Sequence, residues 1–227
     1  MIDVRKELED HIDLKYRDFH MKSVPGVSGI LGVRMPDLRR IVEDICKGDW
    51  REFLERPAEF YEEHMLRGLI IAGAKMDFDE RVEYTKMFLP EINNWAICDS
   101  FCGSWKVKGA QDREKLWDYC LELIDTDDEY GMRVSAVMMM GKFMDSAHID
   151  MVLELLTKKH HDGYYYKMGA AWALSCCYIK YPEKTEPLLF IDTLDKEIRN
   201  KAIQKISDSF RVSKEDKDRL KAKKKML

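Results

Sequence analysis

The run Met65-Leu66-Arg67-Gly68-Leu69-Ile70-Ile71-Ala72-Gly73 decides the fold class. Met65, Leu66, Leu69, Ile70 and Gly73 recur at three- and four-residue spacing, which places them on one face of an α-helix. Val134, Val137, Met138 and Gly141 repeat the spacing further along, and no good strand-hairpin sequence interrupts it. Breaks fall at Pro25-Gly26, Gly48-Asp49, Pro57, Pro90, Gly103, Gly109, Gly163 and Pro182. Pro36 suits the first turn of a helix, and Asp128-Glu129 put negative charge where a helix N-terminus favours it. Reading between the breaks predicts helix pairs over 36–56, 61–88, 95–124, 129–158, 164–190 and 195–224. The pairs begin about 25 to 35 residues apart, the pattern of a divergent α-α solenoid in which each pair buries its apolar face against its neighbours. A compact irregular helical domain is the alternative. The segment from Val24 to Met35, with Gly26, Gly29 and Gly32, reads as an ordered connection into the array.

The 227 residues can bury a sizeable core, and a single domain over 1–227 is expected. Hydrophobic residues make up 45% and charged residues 35%, the mix of a soluble globular protein, and 14 Met suit helical packing. No window approaches the roughly 18 uninterrupted apolar residues of a membrane span. The start, Met1-Ile2-Asp3-Val4-Arg5-Lys6-Glu7, lacks the apolar core of a signal peptide, so a cytoplasmic location is expected. The six cysteines are then expected to be reduced. Cys98 and Cys102 supply at most half a metal site, because Cys176-Cys177 and His160-His161 are adjacent pairs that point apart; no metal is predicted. Net charge is −4, yet residues 205–227 carry nine Lys/Arg against four Asp/Glu. That basic end is either a phosphate-contacting surface or a solvated terminal helix.

The stretch Asn94-Trp95-Ala96-Ile97-Cys98-Asp99 carries the chemistry. Trp95 and Asp99 are four apart in a segment of helical character, so an indole and a carboxylate share one face. Arg133 follows 34 positions after Asp99, and Trp172 follows 39 after Arg133, each about one repeat length. Residues one repeat apart take similar places on successive units, so these four are expected to line one concave face suited to a long curved partner. Of the run Tyr164-Tyr165-Tyr166, one ring is expected to face the groove while the others pack, since consecutive helical residues diverge by about 100°. Lys201 and Lys205 fall roughly one repeat beyond Trp172 and extend a possible phosphate-contacting stripe; a solvated face explains them as simply. Trp50, Trp105 and Trp117 read as packing residues. Phosphate loops, the nucleophile elbow and dinucleotide fingerprints are lacking. Glu62-Glu63 and Asp127-Asp128 are adjacent, exposed-looking carboxylates, not a glycosidase pair.

The chain resembles the HEAT-like-repeat DNA alkylation repair proteins, whose best-known members are alkylpurine DNA glycosylases. Four motifs in order carry the resemblance: Leu31-Gly32-Val33-Arg34-Met35-Pro36 with Arg39; Asn94-Trp95 with Asp99; Arg133 with Ser135-Ala136-Val137; and Ala171-Trp172-Ala173-Leu174 with Pro182-Glu183. The match extends from about residue 15 to 210. It implies an all-α HEAT-like solenoid that binds double-stranded DNA with alkylated bases and hydrolyses the N-glycosidic bond of cationic N3- or N7-alkylated purines, with no cofactor. On that resemblance, Trp95 and Trp172 would present ring faces to the deoxyribose as it gains positive charge. Asp99 would stabilise that charge and position water, without the base being extruded into a tight pocket. Arg133 would hold a backbone phosphate, with Tyr164, Lys201 and Lys205 as further DNA contacts. The chain departs from the family pattern at His20, where active members carry Tyr, and at Ser175, where they carry Arg. Those departures keep two rivals open: a DNA-structure binder that does not cut, and a protein-interaction scaffold, which predicts an acidic face around residues such as Glu129 and Asp162.

Overall fold

The computed structural model describes residues 2–225, and every regular element among them is helical: fourteen α-helices, one 3₁₀ turn at Leu89–Glu91, and an isolated antiparallel bridge between Ile12 and Val33. The helices divide into two compact units, Met1–Arg113 and Glu114–Leu227. The first holds α1 (Val4–Asp10), α2 (Leu14–Ser23), α3 (Met35–Ile45), α4 (Trp50–Glu55), α5 (Tyr61–Gly73), α6 (Phe78–Phe88), α7 (Trp95–Ser104) and the start of α8 (Gly109–Ile124). The second holds the rest of α8, then α9 (Glu129–Lys142), α10 (Ile149–Lys158), α11 (Tyr164–Lys180), α12 (Pro182–Leu188), α13 (Lys196–Asp208) and α14 (Lys214–Lys224). All six expected helix pairs are present, from α3–α4 to α13–α14.

The repeat is visible in the packing of each unit. In the first, α5 packs on both α3 and α7; in the second, α11 packs on both α9 and α13. Corresponding helices of successive pairs therefore stack on one another, as in a helical-repeat array. A helix packed on both sides, as α5 is, loses its polar face, and α9 is buried along most of its length as well. Met65, Leu66, Leu69, Ile70, Ile71 and Ala72 are all buried on α5, and the whole run Gly131–Met139 is buried on α9.

Helix starts are set locally. Asp3, Asp13, Asp49, Asp77, Asn94, Asp128, Asp195 and Ser213 each accept a backbone N–H in the first turn of the helix that follows. Pro36 sits in the first turn of α3. Several helix ends are finished instead by arginines from the next element. Arg67 donates to the Leu54 carbonyl, Arg81 to those of Ile71 and Ala74, and Arg199 to those of Leu189 and Ile191. Cations there meet the negative ends of helix dipoles and satisfy carbonyls that lack an intrahelical donor.

The connection from α2 to α3 is held by a residue the sequence misrepresents. Glu62 is not exposed: it is 1% accessible, and its carboxylate accepts the backbone N–H groups of Leu31, Gly32 and Val33 at 2.9, 2.7 and 3.2 Å. Its neighbour Glu63 accepts from the Phe60 N–H at 2.9 Å and so caps α5. Gly32 has a φ of +98°, and a Cβ there would stand 2.6 Å from Arg17 Cβ, so both backbone angle and space require glycine.

Candidate functional site

On α7, the Asn94 side-chain oxygen accepts from the N–H groups of Ala96 and Ile97 at 3.0 and 3.1 Å, which fixes where the helix begins and hence which residues face outward. Ala96, Ile97, Cys98, Phe101 and Cys102 are buried. Cys98 and Cys102 thus serve as small core residues. Trp95 and Asp99 turn the other way and together line a pocket of about 500 Å³, the pairing expected from their spacing.

The far wall of that pocket is aromatic and comes from α2 and the start of α5: Tyr16, Phe19, His20 and Tyr61. Tyr16 and His20, one helical turn apart, stack at 5.4 Å between ring centroids. His20 Nε2 lies 2.8 Å from the Tyr61 hydroxyl, and Nδ1 lies 3.3 Å from Ser23 Oγ. The Ser23 hydroxyl already donates to the His20 carbonyl at 2.7 Å, so Nδ1 is the ring's donor and Nε2 accepts from the phenol. Ser23 also links this wall to α7, because its carbonyl accepts the Trp95 indole N–H at 2.8 Å. A continuous chain of hydrogen bonds, Tyr61 to His20 to Ser23 to Trp95, therefore holds the indole in place while leaving it 37% accessible.

Burial pushes the His20 imidazole below its ordinary pKa, with the Glu62 charge opposing, so the ring is neutral at pH 7. Burial pushes the Tyr61 and Tyr16 phenols up. Asp99 lines the same pocket as these rings, an arrangement able to hold a cation between a carboxylate and ring faces.

In the second unit the expected residues occupy different settings. Arg133 is turned inward: it is 4% accessible, its Nη1 donates to the Tyr165 carbonyl at 2.6 Å, and its side chain lies against Gly169. Its burial comes with that of the whole run Gly131–Met139 of α9. The tyrosine run divides as the helical period requires, with Tyr164 58% accessible, Tyr165 stacked on Tyr130 at 5.4 Å, and Tyr166 fully buried. Trp172 is half-buried on α11, and the Ser175 hydroxyl donates to its carbonyl at 2.7 Å. Lys205 is exposed, while Lys201 is half-buried and reaches Gln204 at 3.5 Å. Glu129 is committed to packing, accepting the Tyr165 N–H, whereas Asp162 is exposed. Trp50 and Trp105 are core residues, and Trp117 packs on Phe143 and His148.

Sequence reasoning missed Tyr16 and Tyr61 as pocket residues. The four-residue spacing of Tyr16 and His20 was a usable signal for the first; Tyr61 meets His20 across 41 positions and has no local signature.

Among the described residues no helix is long and apolar enough to cross a membrane. A search of curated proteins finds no match. A family model described as DNA alkylation repair enzyme, however, matches residues 4–206, nearly the whole of the array that holds these residues. The chain belongs to the DNA alkylation repair enzyme family.

Proposed function

We propose that the protein is a DNA glycosylase that hydrolyses the N-glycosidic bond of cationic N3- and N7-alkylated purines in duplex DNA, acting as one domain. The observation that carries the reading is the pocket that Trp95 and Asp99 share with the rings of Tyr16, Phe19, His20 and Tyr61. An alkylated purine already carries the positive charge that makes it a good leaving group. What remains is to stabilise the oxocarbenium character that passes to the deoxyribose as the bond breaks. A fixed carboxylate in a weakly polar site does this more strongly than water can, and needs no reorganisation during the reaction. Asp99 stabilises the developing cation and orients the attacking water. Trp95, anchored through its N–H to Ser23, offers its face to the sugar. Trp172 takes the corresponding part on α11, and Tyr164, Lys201 and Lys205 contact the DNA. Arg133 is the phosphate contact in this reading, and through the Tyr165 carbonyl it also seats the first turn of α11. The chemistry asks for no metal or organic cofactor.

The test is release of 7-methylguanine and 3-methyladenine from methylated duplex DNA by wild type and Asp99→Asn. The reading expects release that falls by at least about 100-fold in the variant, the scale seen when one preorganised electrostatic contact is removed. Unchanged release in Asp99→Asn would move the chemistry elsewhere. Salt-dependent DNA binding with no base release by wild type would select the non-cutting DNA binder, a reading favoured by Ser175 standing buried where a cation would otherwise face DNA.

A further inference from the structure

The family match ends at residue 206, and the turn that follows has a character of its own. Between α13 and α14, the Phe210 side chain is 104% accessible, more than any other large apolar residue among those described. A single exposed ring is not a patch and would ordinarily carry no meaning. This ring is presented by a fixed turn, however: the Ser209 N–H donates to the Ile206 carbonyl, the Arg211 N–H to Ser209 Oγ at 3.2 Å, and Ser213 caps α14. It is also flanked by cations. Lys205, Arg211 and Lys214 are all exposed, and none forms an ion pair among the described residues, against the single carboxylate of Asp208 within 205–214. The cations deeper in α14 are differently placed, because Arg219 and Lys223 both pair with Glu186 at 2.7 Å.

The turn stands near α11 of the same unit, the helix that carries Trp172. The positive charges of Arg211 and Lys205 are both felt at the half-buried thiol of Cys176, on α11. Cys176 is one helical turn beyond Trp172 and so lies on the same face of that helix. Arg211 and Lys205, which flank the Phe210 tip, thus reach the face of α11 that carries the half-buried Trp172.

We propose that the α13–α14 turn is a DNA contact in its own right, in which Phe210 enters the minor groove as an apolar wedge and Arg211 and Lys205 hold backbone phosphates beside it. The proposal rests on the reading of the protein as a DNA-binding enzyme. A polyanion is the partner that complements unpaired cations around one ring, and single apolar wedges flanked by basic residues are how many proteins bend or open the duplex from its minor groove. A protein partner would ask for a broader apolar surface than one side chain provides.

The experiment is a binding titration on an undamaged duplex over a salt series, with wild type, Phe210→Ala and the double variant Lys205→Gln/Arg211→Gln. All three side chains are exposed, so the variants keep the fold. Each lost phosphate contact removes about 0.9 from the slope of log K against log salt, so the double variant is expected to be shallower by about 1.8 and on the order of tenfold or more weaker near 0.1 M salt. Phe210→Ala is expected to bind about tenfold more weakly with its slope unchanged, because it removes stacking and groove contact but no charge. A 2-aminopurine duplex should brighten with wild type and stay dark with Phe210→Ala. If wild type binds and both variants match it in affinity and slope, the turn does not touch DNA: the proposal is overturned, the enzyme reading survives, and the tip is left to a protein partner. If wild type fails to bind any duplex at about 50 mM salt, both fall together.

Discussion

Replacing Glu62 should do more damage than replacing any carboxylate in the pocket. Its two oxygens accept three backbone N–H groups, at 2.9, 2.7 and 3.2 Å, inside a segment that is itself buried. Hydrogen bonds to a charged acceptor contribute about 1.5–3 kcal/mol each, and an N–H left buried without a partner costs about 1–3 kcal/mol. Discounting the longest bond leaves two, so Glu62→Ala should destabilise the first unit by about 3–6 kcal/mol, a large share of the 5–15 kcal/mol that typically holds a domain together. Glu62→Gln keeps the shape but turns an amide N–H₂ toward one donor, so about 2–3 kcal/mol is expected. The adjacent Glu63, a half-buried helix cap, should cost only about 1 kcal/mol when changed to Ala. Urea unfolding followed by circular dichroism reads the series. At a slope of about 2 kcal/mol per molar, Glu62→Ala should lower the midpoint by about 1.5–3 M and Glu63→Ala by about 0.5 M. Because the held segment follows Ser23, whose carbonyl anchors Trp95, base release by Glu62→Gln should slow as well. A Glu62→Ala protein within 0.5 kcal/mol of wild type would refute the claim that this carboxylate organises the connection.

Three further outcomes follow from the same structure. His20 is held neutral by burial, so the unfolded chain takes up a proton first as pH drops below about 6.5; wild type should lose more melting temperature than His20→Gln between pH 7.5 and 5, and equal losses would count against the buried, neutral ring. Glu186 is held down at about 2, chiefly by Arg219 and then by Lys223. Its contribution is present above the ordinary carboxylate value near 4.5 and is lost as pH falls from there toward 2, so amide exchange in α14 should rise across that window in wild type and be high already at pH 7 in Glu186→Gln. Gly68→Ala places a Cβ 2.9 Å from Phe88 Cζ in the core, and a loss of about 1–3 kcal/mol in chemical unfolding is expected.

What the sequence discloses here is what is decided within a few residues. The helix pairs could be bounded because their ends are written in Pro, Gly and first-turn Asp, and the face shared by Trp95 and Asp99 follows from a spacing of four once Asn94 starts the helix. Glu62 could not be read, since its burial depends on backbone donors about thirty positions away that curl onto it only in the folded chain. For the same reason Tyr61 was invisible as a pocket residue while Tyr16 was not. Arg133 is the instructive intermediate. Its neighbours Met132 and Val134 are apolar on both sides, a local sign that the helix is enclosed all round and that the arginine between them is enclosed too.

That enclosure offers Arg133 a second purpose beside holding DNA. The peptide of Tyr165 is gripped at both ends from α9: its N–H donates to Glu129, and its carbonyl accepts from Arg133 at 2.6 Å. The Tyr130 ring stacks on Tyr165 as well, and a Cβ at Gly169 would come within 3.1 Å of Arg133 Cγ. The first turn of α11 is thereby fixed in rotation and height, and with it the exposed Tyr164 and, two turns on, Trp172. The two purposes make opposite predictions for Arg133→Met, which keeps most of the packing and removes the donors. A positioning residue should cost about 1–3 kcal/mol of stability when so changed and leave the salt slope of DNA binding alone. A phosphate contact should leave stability within about 0.5 kcal/mol and lower that slope by about 0.9. Unfolding and salt-dependent binding measured on the same variant separate them, and a lowered slope with unchanged stability would mean that the guanidinium leaves Tyr165 for the duplex when DNA is bound.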